Sequence, residues 1–204
     1  NEMNNGVTVR DMMCHRTGLP RHDFSWYLFN SDSRDSLLQR IRYHEPTAPL
    51  RQTWQYNNFM FLAQGMIAEK LSGKSWEKNI KEKIFTPLGM TNSNFSVTDL
   101  AKAPDASLGY TLYKDSLIYP TDYYNINAMG PAGSINSSVN EMSNWVMTWI
   151  NSGKFNGKEI LPASYTKEAM SSQMVMSSGM PDPEIPDAHL ANYGYGWMIS
   201  SYRG

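Results

Sequence analysis

Residues 54–73 read Trp54-Gln-Tyr-Asn-Asn-Phe-Met-Phe-Leu-Ala-Gln-Gly-Met-Ile-Ala-Glu-Lys-Leu-Ser-Gly73. From Asn58 onward the apolar positions Phe59, Leu62, Ala63, Met66, Ile67 and Leu71 recur at i, i+3, i+4 and i+7, the spacing of one buried helical face. This predicts a helix from about Asn58 to Leu71, stopped by Gly73. Just ahead of it, Tyr56 and Asn58 lie two apart in an extended or turning segment, so both side chains can aim at one cavity. A tyrosine there can move a proton if a nearby cation lowers its pKa from about 10. An amide such as Asn58 can donate to a substrate carbonyl. On spacing alone, capping is the better explanation of Asn58, because Asn is a favoured residue at a helix start.

Helices dominate on either side. Thr8-x-x-Asp11 reads as a capping box opening a short helix that ends before Gly18 and Pro20. A second helix is expected over Asp35 to Tyr43, after which Pro46 and Pro49 impose an extended connection. Ser75 caps the next helix, to about Phe85, with Trp76, Ile80 and Ile84 inward and Glu77–Lys81 as an outer i,i+4 pair. Ser138-x-x-Glu141 reads as another capping box. Its helix carries the stripe Met142, Trp145, Val146, Trp149 and Ile150 and closes at Gly153. Residues 162–172 form one more expected helix. Leu108, Tyr110 and Leu112, then Leu117 and Tyr119, flank Lys114-Asp115 as in a β-hairpin. Gly130-Pro131-Ala132-Gly133 reads as a loop, and 177–192 as a long loop. Tyr193–Ser200 reads as a strand without partners, which leaves unpaired backbone groups. The expected class is mostly α with a small β-hairpin (α+β), over residues 1–204 as a single domain fragment: a helical region to about 176, a loop over 177–192 and the start of a sheet strand over 193–200.

The 204 residues are 41% hydrophobic, enough for one substantial core. A formal net charge of -1, with Lys and Arg scattered, gives no basic stripe for nucleic acid. The longest strictly apolar run, Phe59 to Ala63, is far too short to span a bilayer. The lone Cys14 allows no internal disulfide. His15, His22, His44 and His189 have no metal-ligand spacing among themselves or with Cys14, and no cofactor motif is present. No signal peptide is visible.

Serine acyl transfer requires a nucleophile beside a base, a group that holds the scissile amide, and an oxyanion hole. Two S-x-x-K matches occur, Ser75-Trp-Glu-Lys78 and Ser164-Tyr-Thr-Lys167. With 22 Ser and 10 Lys in 204 positions, chance supplies roughly one. Both sit at expected helix starts, where serine is an N-cap. Arg16-Thr17-Gly18 imitates a K-T-G motif, but a turn around Gly18 explains it better.

Three colinear blocks change the weight of Tyr56 and Asn58. Val7-Thr-Val-Arg-Asp-Met-Met-Cys-His-Arg-Thr-Gly-Leu-Pro20 is the first. The second runs from Trp54-Gln-Tyr-Asn-Asn58 through Leu71-Ser-Gly-Lys74 to Ile84-Phe-Thr-Pro-Leu-Gly-Met-Thr91. The third is Gly130-Pro-Ala-Gly-Ser134, its following helix, and Tyr193-Gly-Tyr-Gly-Trp197. Together they resemble the class C β-lactamase family and its relatives, the D-Ala-D-Ala carboxypeptidases and esterases of the serine β-lactamase and penicillin-binding-protein fold. The resemblance implies the helical region of that fold with most of its antiparallel sheet missing. It implies proton transfer by Tyr56, substrate-amide holding by Asn58, and a cleft lined by Gly130, Gly133 and Ser134. Asn57 stands where the family usually has Ser, a non-catalytic position. Cys14 and Arg16 also depart from the common Ser and Thr. His15 and Gly18 match a segment that supports the fold. The family's S-x-x-K would precede Asn1 and its third motif would follow Gly204, so no nucleophile is expected in this chain.

The leading expectation is therefore part of a bacterial serine hydrolase that forms an acyl-enzyme with a β-lactam, a D-Ala-D-Ala peptide or an ester. The parent protein would be exported to the periplasm, cell envelope or medium, and the fragment alone would be inactive. Its partners would be a small-molecule or peptide substrate and no nucleic acid, with self-association through an uncovered core face. One alternative is a non-catalytic relative, a binding or assembly module that kept the fold. Another is an unrelated helical interaction domain, in which Tyr56 and Asn58 would lie far from any cleft.

Overall fold

The computed structural model describes residues 6–177 and 180–203. Its centre is α4, Asn58–Ser72, which ends at Gly73 in the left-handed conformation, φ 67°. Around α4 stand α1 (Val9–Met13), α2 (Phe24–Tyr27) and α3 (Arg34–Arg40), the last continued by a 3₁₀ turn over Ile41–Tyr43. Next comes α5, Trp76–Ile80, which widens into a π-helical turn over Lys81–Phe85 and ends in a short turn, Thr86–Leu88. The chain goes on through α6 (Val97–Leu100), the hairpin β1 (Gly109–Tyr113) and β2 (Leu117–Thr121), α7 (Gly130–Gly133) and α8 (Val139–Ile150). It finishes with the two-residue strands β3 (Lys154–Phe155) and β4 (Lys158–Glu159), α9 (Ala163–Ala169), and β5 (Met174–Val175), β6 (Asn192–Tyr193) and β7 (Met198–Ile199).

The α-rich, α+β class is as the sequence leads one to expect. Thr8 and Asp11 form a complete capping box on α1. Lys114 and Asp115 both take positive φ in a turn that sets Tyr113 opposite Leu117. One cluster joins α3 and α4 to the 3₁₀ turn before α7: Leu19, Leu37, Phe59, Met60, Leu62, Ala128 and Met129. A second gathers Cys14, Trp149, Ala169 and Tyr195, and a third Phe85, Leu88 and Met90; Trp145 of α8 packs against both.

Several expectations need correction. The strand over 193–200 is not alone. Gly194 and Gly196 bend it back, with Gly194 N–H donating to the Trp197 carbonyl at 2.8 Å, and β6 pairs with both β5 and β7. The 130–133 segment is a helical turn rather than a loop, because Pro131 sits at its first turn, where no N–H is needed. Glu77 does not pair with Lys81; Arg34 binds it together with Glu69. Ser138 accepts from Glu141 N–H, but the Glu141 carboxylate reaches away to Asn92 N–H at 2.7 Å and Ser93 Oγ at 2.6 Å. The inward face of α8 is Glu141, Thr148 and Trp149, while Met142, Val146 and Ile150 are exposed. Leu71 is 83% exposed. It borders an open, mostly apolar groove of about 730 Å³ along α4, α5 and α9, which includes Phe61, Gly65, Trp76, Pro131 and Leu161.

Candidate active site

Tyr56 is held by the residue that stacks on it. The His15 carbonyl accepts from Gln55 N–H at 2.8 Å. Its ring Nδ1 accepts from Asn57 N–H at 3.1 Å. One histidine thus pins the backbone on both sides of Tyr56, and its ring lies 4.3 Å from the tyrosine ring. Because Nδ1 accepts, the neutral imidazole carries its proton on Nε2. That atom is buried and has no hydrogen-bond partner among the described residues. Burial, with the Arg21 charge adding, lowers the His15 pKa to about 4. His15 is therefore neutral near pH 7, and its bond to Asn57 is intact there.

The segment enters α4 by a division of labour. Asn57 is fully buried and caps the helix, with Oδ1 accepting from Phe59 N–H at 2.8 Å. Its Nδ2 donates to the Pro20 carbonyl at 2.7 Å. Asn58 is the first helical residue, not the cap, so its side chain is available for other work. It donates from Nδ2 to Asp23 Oδ1 at 3.0 Å. Asp23 also accepts from Arg21 Nε at 2.7 Å. The Arg21 guanidinium lies 4.8 Å from the Tyr56 ring centroid, over its face. A cation, a phenol and a carboxamide thus share one rim. Such a set can stabilise a developing tyrosinate and orient an amide. Arg21 and Asp23 escaped the sequence reading; their place one and three residues beyond Pro20 was the available signal.

Phe61 lies 5.0 Å and Tyr193 5.2 Å from the His15 ring, centroid to centroid. Burial, with Tyr56 and Cys14 nearby, pushes the Tyr193 phenol up to about 12, so it stays neutral. Phe61 also lines the apolar groove. The groove therefore reaches a ring that packs against His15.

Pro131 of α7 lines this groove, but Gly130, Gly133 and Ser134 do not; Gly133 and Ser134 line a separate cavity of about 80 Å³ with Tyr123 and Asn136. Pro131 packs on Gly65 so closely that a Cβ there would come within 2.3 Å of the Pro131 ring. Gly65 is seven residues past Asn58, roughly 10 Å along the helix axis. Gly130 and Ser134 are buried, and Ser134 Oγ has no hydrogen-bond partner among the described residues.

The S-x-x-K decoys belong to helix starts. Ser75 Oγ accepts from Lys78 N–H at 3.2 Å, as an N-cap does. Ser164 is an exposed residue in the first turn of α9; the cap position there is Pro162, not the serine. Gly18 turns at φ 84°, and a Cβ on it would meet the Ala48 carbonyl at 2.1 Å. Among the described residues no group of three or more His, Cys, Asp or Glu could hold a metal ion.

The Beta-lactamase family profile matches residues 2–204. An unguisins hydrolase of Aspergillus campestris is 31% identical over 98% of this chain and 37% of its own. The octameric penicillin-binding protein homologue from Pyrococcus abyssi superposes with a TM-score of 0.76 at 26% identity, covering 95% of this chain and 43% of that one. D-amino acid amidase from Ochrobactrum anthropi, bound to L-phenylalanine amide, has the same fold: TM-score 0.73, 19% identity, covering 94% and 53%. The chain thus spans about a third to a half of the length of these relatives.

Proposed function

This chain belongs to the Beta-lactamase family, and from that premise we propose that it is part of a serine hydrolase working by acyl transfer on a β-lactam, a D-Ala-D-Ala peptide or an ester. Tyr56 is the proton shuttle and Asn58 holds the substrate's amide. The observation that carries this reading is the clamp of His15 around Tyr56, with the Arg21 guanidinium 4.8 Å above the phenol ring. A structural tyrosine needs neither a double backbone tether nor a cation on its open face. Gly130, Gly133 and Ser134 are the cleft loop in this reading. The nucleophilic serine lies outside this chain, which by itself does not turn over. Export of the parent protein belongs to the same proposal; among the described residues no helix is long and apolar enough to cross a membrane.

The test is Tyr56→Phe in the full-length protein, read as the rate of covalent modification by benzylpenicillin or a fluorophosphonate. A loss of about 10²-fold or more is expected for a proton shuttle. A rate near that of the wild type removes the role; no modification of the wild type itself favours a binding module that has kept the fold.

A further inference from the structure

The hairpin is a sheet of two strands, and apart from Gly109 every residue of β1 and β2 is exposed. A lone pair of strands is marginal in water, and further strands are what make such a sheet stable. The proline in β2 shows where one can be added. Tyr110 stands opposite Pro120 and Leu112 opposite Ile118. Proline has no N–H, so Tyr110 and Pro120 cannot exchange a pair of ladder bonds. They form a non-hydrogen-bonded pair. By alternation Leu112 and Ile118 do the same, while Thr111 and Tyr119 form a hydrogen-bonded pair. The N–H and C=O groups of Tyr110 and Leu112 therefore point away from β2, to the open edge of β1. Among the described residues no backbone bond from outside the hairpin takes them up. The open edge of β2 lacks the Pro120 donor, a common guard against strand addition. β1 has no such guard: it carries neither proline nor a charged side chain, and Lys114 and Asp115 are confined to the turn.

This edge complements itself. Two copies of β1 laid antiparallel about Thr111 bring Tyr110 of each copy opposite Leu112 of the other, so that every outward N–H meets an outward C=O. Tyr110 and Leu112 project from the same face of the strand, and both are more than half exposed. In the pair, the tyrosine ring of one copy covers the leucine of the other, an aromatic–aliphatic cross-strand contact. We propose that two copies of this protein associate through the open edge of β1, in a two-fold antiparallel pairing centred on Thr111 that joins two hairpins into one four-stranded sheet. The occupant is a second copy because the register that satisfies the backbone is also the one that matches Tyr110 to Leu112. Strand addition alone buries less than about 1,200 Å², the class of weak, reversible interfaces, so the dimer forms with rising concentration. Self-association is thereby assigned to a backbone edge and not to the apolar groove beside α4.

The experiment is disulfide trapping in the full-length protein. In the proposed pairing Thr111 faces its own copy as a non-hydrogen-bonded pair, with Cα atoms about 4.5 Å apart, within the roughly 4.4–6.8 Å that a disulfide spans. Under mild oxidation Thr111→Cys should give a covalent dimer at least about tenfold faster than Ser116→Cys, an equally exposed thiol in the turn. The native Cys14 is buried and does not compete. Adding Leu112→Pro to Thr111→Cys removes an edge N–H that β2 does not use, and trapping should fall to the Ser116→Cys rate. Ile118→Pro places the same ring on the other edge and should leave trapping unchanged, with both variants melting close to the parent. Sedimentation velocity on the unmodified protein should show a dimer that grows with concentration and is absent from Leu112→Pro. Equal trapping of the two cysteines overturns the proposal, as does equal loss of trapping in Leu112→Pro and Ile118→Pro, which would trace it to an intact hairpin and not to the β1 edge. A Thr111→Cys thiol shielded from maleimide in dilute full-length protein also overturns it, because the edge is then covered by the protein's own chain.

Discussion

His15 shows how one residue ties stability to the site. Its folded pKa, lowered to about 4 from 6.5, means that the folded state resists a proton the unfolded chain accepts. The unfolded chain therefore binds more protons between about pH 6.5 and 4, and stability falls as pH drops through that window. His44, stacked 4.1 Å from His22 and lowered to about 4 by burial and then by the His22 charge, acts in the same direction. Asp11 takes over at lower pH. Burial pushes its carboxyl up, but Arg51, Thr8 and Arg16 together outweigh that and hold it far below its ordinary 3.8. Its contribution is present above that value and lost in stronger acid. Urea melts of the full-length protein should thus lose stability from pH 6.5 to 4, and His15→Gln should flatten part of that slope. An unchanged slope would mean that His15 takes up a proton in the fold as readily as in water. The same substitution removes the Nδ1 acceptor for Asn57, so acylation should slow as well, in step with Tyr56.

Among the elements, α4 explains why some expectations held and others did not. Its apolar period predicted its bounds to within a residue, and the Gly73 stop is real. Period alone assigns one apolar face, however, and α4 has two, one buried and one on an open groove. Phe59, Met60 and Leu62 pack into the first core cluster, while Phe61, Gly65, Ala68 and Leu71 line the groove. Capping chemistry was legible at Thr8, Ser75 and Ser138 because it is local. The destination of Glu141 was not, since Asn92 and Ser93 are almost fifty residues away in sequence. The pairing of β6 with β5 and β7 was hidden for a related reason: two-residue strands carry no alternation to read. At the site, Tyr56 and Asn58 stood out only through the resemblance, whereas Arg21 and Asp23 are brought to them by the turn after Pro20. Gly65 offers the sharpest test at this scale. A methyl group there would sit 2.3 Å from Pro131 Cγ and force α7 off α4. Gly65→Ala should cost about 1–3 kcal/mol despite alanine's better helix propensity, lowering the melting temperature by roughly 2–4 °C per kcal/mol. A stabilised variant would show that the contact is loose.

For the whole molecule the question is whether this chain can react by itself. Ser75 lies at the opposite end of α4 from Tyr56, roughly 22 Å away along a fifteen-residue helix. Its hydroxyl accepts the Lys78 backbone proton, and the Lys78 ammonium points to Glu82 at 3.9 Å, not to the serine. Ser164 stands exposed at the start of α9, and Lys167 one turn later is exposed too, so nothing desolvates the amine that would have to act as base. Neither serine meets the requirement that nucleophile and base share a sheltered site with Tyr56. What the chain does present is the rim of Tyr56, Asn58, Arg21 and Asp23, with His15 packed on Tyr56 and on Phe61, a residue that also lines the apolar groove of about 730 Å³. Under the proposed function this rim is one wall of an active site rather than its reacting centre. Incubated with a fluorophosphonate probe, and separately with a penicillin, this chain should therefore keep its unmodified mass under conditions that label the full-length protein at one equivalent. Stoichiometric labelling of this chain would place a nucleophile inside it. Ser75→Ala and Ser164→Ala would then identify which one, and the geometry around Tyr56 would need a different role.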